Sequence, residues 1–338
     1  MDKYFTINQK SSELNIIREK GYERGVSCGL SVLDEIFTIK KGFPIFIAGA
    51  PYAGKTEFVL EILINLSITK KWKHFIYIGE GGDVENVFAE LVSKHMGKQY
   101  HKGNFGASDT DIIYSSQFIE QYFVIANHDT DFTINEFYDT VSSAERELNI
   151  KFDTTVFDPF NDIKDETALF GGREDKYLAH ALKQVRISSK KNNRVDILVN
   201  HIADVKAIND KESGFRYMPE ALPNEWAGGR TWWRRAFTMI LIYRPPNYIK
   251  LYSECKENET HIIIQKSKPK GVGKIGRASI YFDWKKNRYY CFEGSQILYS
   301  CETMESILPK SLVESKMQPN TNFSESVKDL WEPETKVI

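Results

Sequence analysis

Cysteine is scarce in this chain. Its four cysteines, Cys28, Cys255, Cys291 and Cys301, are scattered over 338 residues without metal-ligand spacing. That excludes a disulfide scaffold and reads as reduced thiols of a cytoplasmic protein. Charge of one sign is missing too. Lys+Arg 45 against Asp+Glu 46 leaves a net charge of -1, so no global field marks a polyanion binder and any such site must be local. No apolar run approaches the roughly 20 residues needed to span a bilayer. The polar start Met1-Asp2-Lys3-Tyr4-Phe5 is no secretory leader, and no internal repeat is visible. What remains is ordinary for a globular chain with a large core: 41% hydrophobic and 27% charged residues. The length suits one large α/β domain or two small ones.

Within that ordinary background stands one specific motif. Gly49-Ala50-Pro51-Tyr52-Ala53-Gly54-Lys55-Thr56 fits G-x-x-x-x-G-K-[ST]. Before it, residues 44–48 form a short apolar run that reads as a buried strand. After it, from Glu57 to Asn65, apolar residues recur at helical spacing. Strand, glycine loop and helix are the context in which backbone N–H groups curl around phosphate oxygens and a helix N-terminus adds its positive end. The stretch from Gly49 to Glu57 is therefore the candidate nucleotide cradle. Lys55 is placed to reach the β- and γ-phosphates, and the Thr56 hydroxyl to ligate Mg²⁺.

Strand-like and helix-like patterns alternate from residue 25 to about 293. Strands are expected at 44–48, 74–79, 123–126, 155–157, 196–200, 239–243, 260–266 and 278–283, and helices near 56–69, 83–96, 133–148 and 174–191. This alternation argues for an α/β fold, a mostly parallel twisted sheet flanked by helices. The last strands follow one another without helices, which argues for an antiparallel C-terminal edge. Residues 1–24 are polar with one short amphipathic stretch from Leu14 to Lys20, too short to hold itself as a helix without docking. Residues 301–338 read as a polar, disordered tail, in which the segment from Val327 to Glu334 around Trp331 is either a docking peptide or simply tail. The domain therefore runs from 25 to 300. Two long polar loops, 162–174 and 204–228, interrupt it, and such loops are usually functional or mobile.

Hydrolysis needs more than a phosphate loop: an acid that organises the metal and a group that aligns water. Asp158 ends the apolar run from Thr154 to Phe157 and is the candidate acid, expected at the tip of a strand beside the phosphate-loop strand. Glu80 follows the run from Phe75 to Gly79, a strand also expected next to the phosphate-loop strand, where a carboxylate polarises water. His201 with Asn200 ends the run from Ile197. It is either a phosphate sensor or a structural histidine. Asp153, Asp162 and Asp165 lack metal-cage spacing and read as loop acids. Trp232 and Trp233, within Arg230-Thr231-Trp232-Trp233-Arg234-Arg235, read as packing or subunit-contact residues rather than a base-stacking site.

Taken in order, these motifs resemble a known family. Gly25-Val26-Ser27-Cys28-Gly29-Leu30-Ser31-Val32-Leu33-Asp34 is similar to the G-x-x-T-G-[FL]-x-x-L-D lead-in of RecA-type ATPase cores, above all replicative helicases of the DnaB and Twinkle type. The family's catalytic Glu strand is matched by Ile78-Gly79-Glu80, its Walker B strand by Val156-Phe157-Asp158, and its sensor by Asn200-His201. Its strand ending in Tyr-Arg is matched by Tyr243-Arg244. Its motif I-I-x-K-x-R-x-G-x-x-G is matched by the run from Ile263 to Gly273. The likeness covers residues 25–293 in consistent order. It departs at Lys268, where the family has Arg, and lysine lacks arginine's planar fork. Lys266, Lys270 and Arg277 stand nearby.

The resemblance implies a RecA-like P-loop core that hydrolyses ATP with Mg²⁺ at the interfaces of a hexameric ring. One subunit would give Lys55, Thr56, Glu80, Asp158 and His201, with Arg244 bordering the nucleotide; the next would give a basic finger centred on Lys268. It also implies single-stranded DNA as a partner, a primase or loader as another, and no membrane. Lys164, Arg173, Lys206, Lys211 and Arg216 in the two long loops are candidate strand contacts. The residues before position 25 are too few for the family's collar and suffice for a linker helix that docks on a neighbouring copy. A RecA- or RadA-like recombinase, and a nucleotide switch directed at proteins, remain open as alternatives.

Overall fold

The computed structural model describes residues 4–203 and 205–300. The tail from 301 onward, including the Trp331 segment, lies outside the described residues. In chain order the elements are α1 (Ser11–Lys20), α2 (Ser31–Asp34), β1 (Ile45–Gly49), α3 (Lys55–Lys70), β2 (His74–Ile78), α4 (Val84–Met96), α5 (Asp109–Tyr122), β3 (Phe123–Ile125), α6 (Ile134–Glu147), β4 (Thr154–Asp158), α7 (Glu174–Asn192), β5 (Val195–His201), β6 (Ile208–Asn209), β7 (Arg216–Tyr217), α8 (Arg230–Arg235), β8 (Thr238–Tyr243), β9 (Glu259–Lys266), β10 (Gly276–Asp283), β11 (Arg288–Glu293) and β12 (Gln296–Tyr299).

Ten strands make one sheet in the order β12-β11-β10-β9-β8-β1-β5-β4-β2-β3. From β3 to β8 the neighbours run parallel. From β8 to β12 they run antiparallel, as the unbroken succession of strands implied. Alternation along each strand feeds two cores. Ile45 and Ile47 of β1 join the apolar cluster that includes α3 and α4. Phe46 and Ala48 face the other layer, with α6, α7 and Trp232. α3 is buried from Phe58 through Ser67, as a helix apolar on every side must be.

The strand order corrects one expectation. β5 separates β4 from β1, and both β5 and β4 separate β2 from β1. α3, with 16 residues, is about 24 Å long at the helical rise. That comfortably crosses the ~14 Å of three strand spacings, so succession in the chain does not dictate adjacency in the sheet.

The lead-in motif is a knot at the base of α3. Asp34 accepts the Cys28 N–H (2.6 Å) and the Ser27 hydroxyl. Asn65 of α3 donates to the Cys28 carbonyl at 2.6 Å. Gly29 has φ +84°, and a Cβ there would sit 1.2 Å from Asn65 Nδ2, so glycine is required twice over. The antiparallel extension is fastened by Arg288 of β11, which donates to the carbonyls of Lys94 (2.9 Å) and His95 (2.6 Å) at the end of α4. The long loop 204–228 contains the β6–β7 hairpin, closed by Asp210 accepting from Ser213. No residue of α1 is buried.

Candidate nucleotide site

β1, β5 and β8 are parallel neighbours, so their C-terminal tips share one end of the sheet. The phosphate loop leaves β1 there. Tyr52 (φ +62°) and Gly54 (φ +89°) are left-handed on either side of Ala53. That alternation turns successive N–H groups toward one concavity, an anion-binding nest. Pro51 and Tyr52 are exposed, and Tyr52 is 96% accessible. Lys55 is buried and donates back to the carbonyls of Gly49 (3.3 Å) and Ala50 (3.2 Å). Burial lowers its pKa, while Asp158 and Glu80 act the other way. Glu57 occupies the first turn of α3, but its carboxylate turns to the buried Lys94 of α4 at 2.5 Å, so only its backbone belongs to the cradle.

Thr56 donates its hydroxyl to Asp158 at 2.6 Å. Asp158 is 3% exposed, and burial pushes its carboxyl up to about 6; Thr56 and Lys55 oppose the rise and Glu80 adds to it. Glu80 reaches over the sheet end from β2 to place Oε1 3.1 Å from His201 Nε2 on β5. Asn200 donates to the Ala227 carbonyl at 2.9 Å. Thus Lys55, Thr56, Glu80, Asp158 and His201, far apart in the sequence, meet at one end of the sheet. Arg244 follows β8 at that same end, exposed, with a long donation to the Glu257 carbonyl (3.5 Å). Its charge also reaches Tyr289, whose phenol is raised by burial and by Glu57 and Glu61, with Arg244 opposing, and which donates to the Gly54 carbonyl at 3.5 Å.

The finger candidates lie elsewhere. β9 is antiparallel to β8, with Lys266 opposite Met239, and Lys268 follows at the sheet end remote from the chain's own phosphate loop. Lys266 donates to the Trp233 carbonyl, its ammonium 5.2 Å from that ring centre. Lys270 stands 5.6 Å over Tyr22. Arg277 is held by both oxygens of Glu220 at 2.6 Å. Lys268 is exposed and makes no ion pair among the described residues. Trp232 is fully buried against Phe46, Phe160 and Trp226, whereas Trp233 is 44% exposed.

Three residues near the site escaped the sequence. Asp162 closes against Gly79, and Tyr289 and Lys94 buttress the phosphate loop and α3. None has a local pattern, because each meets its partners only through the fold. Of the loop cations, Arg173 pairs with Asp175 at 2.8 Å, and Lys206 and Arg216 line one groove beside the β6–β7 hairpin. A cavity of about 430 Å³ lies between the loop after β4 and the Ala227 turn, lined among others by Asn161, Asp165, Tyr177 and Asn200. Cys255, Glu259 and His261 also converge within 4.8 Å. There Arg277 directs a donor at His261 Nδ1 (3.4 Å), leaving Nε2 to donate to Glu259 (3.1 Å). The cluster is a closed hydrogen-bond chain, with no imidazole lone pair left for a cation. Among the described residues no helix is long and apolar enough to cross a membrane.

No family model matches the chain. It is 31% identical over 91 residues to the Twinkle homolog protein, chloroplastic/mitochondrial, of Arabidopsis thaliana, a stretch that is 27% of this chain and 13% of that protein. The chain thus matches a small part of this curated relative's length. Among solved structures, the ATPase domain of a DnaB-like helicase is similar with a TM-score of 0.68 at 17% identity, covering 87% of this chain and 100% of that one. A DnaB-like replicative helicase, described with its interactions with primase, gives 0.66 at 17% identity, covering 84% of this chain and 68% of that one. The fold is therefore that of DnaB-like helicase ATPase domains, a RecA-like P-loop core.

Proposed function

We propose that the chain is an ATP-dependent DNA motor of the DnaB-like helicase type, working as a ring of six with nucleotide between subunits. One observation carries this most strongly. The phosphate loop, the Thr56–Asp158 bond and the Glu80–His201 pair share one sheet end, while the exposed Lys268 occupies the other. Two halves of a hydrolytic site at opposite ends of one chain suit head-to-tail copies that close a ring.

The residues fit a magnesium nucleotide. Asp158 is a buried carboxylate whose charge burial disfavours, the situation a divalent cation relieves. Thr56 and Asp158 would hold the ion, which when bound neutralises phosphate charge. Lys55 leaves its two loop carbonyls for phosphate oxygens. Glu80 orients the attacking water, and His201, released from Glu80, senses the γ-phosphate. Lys268 of the next copy adds positive charge as the leaving group departs. The unburied α1, with Leu14, Ile16 and Ile17 exposed, supplies an apolar stripe for a neighbouring copy. Loop cations such as Lys206 and Arg216 grip the phosphates of a single strand, and a primase or loader is the expected protein partner.

The test is ATP turnover by purified protein with and without single-stranded DNA, beside Lys55→Ala and Glu80→Ala. Strong stimulation by DNA that both variants lose is expected, with unwinding of a forked duplex. Turnover indifferent to DNA would instead indicate a protein-directed switch, and stimulation without unwinding a recombinase.

A further inference from the structure

Gly79 stands at the end of β2, one residue before Glu80. Its backbone is not left-handed; what it supplies is space. A Cβ there would lie 2.4 Å from Asp162 Oδ2 and 3.0 Å from the Tyr77 hydroxyl. Glycine therefore lets the Asp162 carboxylate close against the strand beside the candidate base. Asp162 ends the short turn Phe160–Asp162 after β4, fixed by its own N–H to the Pro159 carbonyl (3.1 Å) and by Ile163 N–H to the Phe160 carbonyl (3.1 Å). It is thus the point where the rigid Asp158 strand passes into the loop that carries Lys164 and Arg173. The electrostatics agree with this placement: partial burial and then Glu80 raise the Asp162 carboxyl, with His201 opposing, and Tyr77 is raised by burial and then by Asp162.

We propose that Asp162 is a positioning residue that, through the clearance at Gly79, holds Glu80 in its pairing with His201 and reports to that pair the position of the loop 163–173. The inference rests on the hydrolytic reading of the site. With Asp162 seated against Gly79, its negative charge disfavours a free Glu80 carboxylate beside it and favours the one paired with His201. A strand that draws the loop away carries Asp162 with it, and Glu80 is freed to face the water. Strand occupancy and hydrolysis are then coupled through one carboxylate.

Two independent changes test this. Asp162→Asn removes the charge without adding volume, and Gly79→Ala keeps the charge but displaces it. Both are expected to raise turnover in the absence of DNA and to compress the stimulation by single-stranded DNA about fivefold or more, with KM for ATP unchanged. Loss of stability alone would lower both rates together and leave their ratio intact. A wild-type protein without turnover, or with turnover indifferent to DNA, removes the underlying reading and this inference with it. A DNA-stimulated wild type whose ratio persists in Asp162→Asn overturns the inference alone, whatever becomes of Gly79→Ala.

Discussion

Lys55 and Tyr52 show how differently two neighbouring side chains of one loop stand. Lys55 is folded down on its own carbonyls, and its charge is drawn toward Asp158 and Glu80. Lys55→Ala should leave the fold intact and reduce ATP turnover at least about 100-fold, since charge on the transferred phosphate loses its nearest cation; steady-state kinetics beside a melting curve will show it. Tyr52 is a bulky residue in a left-handed conformation with its ring in solvent. Tyr52→Gly should stabilise the nucleotide-free protein by roughly 0.5–1 kcal/mol in chemical denaturation, because only the strain is removed. A net loss would mean the ring holds the loop. At this scale the contiguous loop was readable from its residues alone. Asp158, Glu80 and His201 were readable because each ends an apolar strand. Asp162 was not. An acid in a polar loop looks the same in sequence whether it faces solvent or closes on Gly79, and only the packed strand tips reveal which.

Elements carry their own tests. His74 on β2 lies fully buried with Nε2 3.0 Å from the Ser67 hydroxyl of α3. His95 on α4 stacks on Phe118 of α5 at 4.0 Å between ring centres. Burial holds both pKa values down to about 3 in the folded protein, Arg288 adding to the effect at His95. A depressed folded pKa means the unfolded chain binds the proton more readily. The stability each neutral ring provides is therefore complete above the ordinary histidine pKa of about 6.5 and is lost as pH falls toward 3, by up to ~1.4 kcal/mol per pH unit for each ring. Urea unfolding between pH 7 and pH 4 should show this slope, and His95→Gln should lessen it. Gly29→Ala should cost about 3 kcal/mol or more, since the added carbon has no room beside Asn65; an unchanged melting temperature would contradict the role of the lead-in knot. The main strands and four long helices were legible from periodicity. α5 was missed because its apolar residues are few and exposed Ile113 and Tyr114 blur the stripe. β11 and β12 were missed because Arg288, Asn287 and the Gly294 turn read as loop, although Arg288 is buried on α4.

At the scale of the molecule, the sheet order was only partly legible. Patterns reveal that strands are parallel but not which gap each fills, and β5 and β4 came to lie between β1 and β2. Yet the antiparallel turn of β9 has the larger consequence. It sends Lys268 to the sheet end that the chain's own nucleotide cannot reach. On the proposed function, the two halves of the site are then joined between copies. The most direct measurement is complementation: Lys55→Ala and Lys268→Ala proteins assayed alone and mixed in equal amounts after dissociation and reassembly with DNA. Each alone should be nearly inactive. The mixture should recover up to about a quarter of wild-type turnover, because a random ring places an intact Lys55 against an intact Lys268 at about one interface in four. A mixture as inactive as its parents, or a Lys268→Ala protein that retains full turnover by itself, would contradict a site shared between subunits.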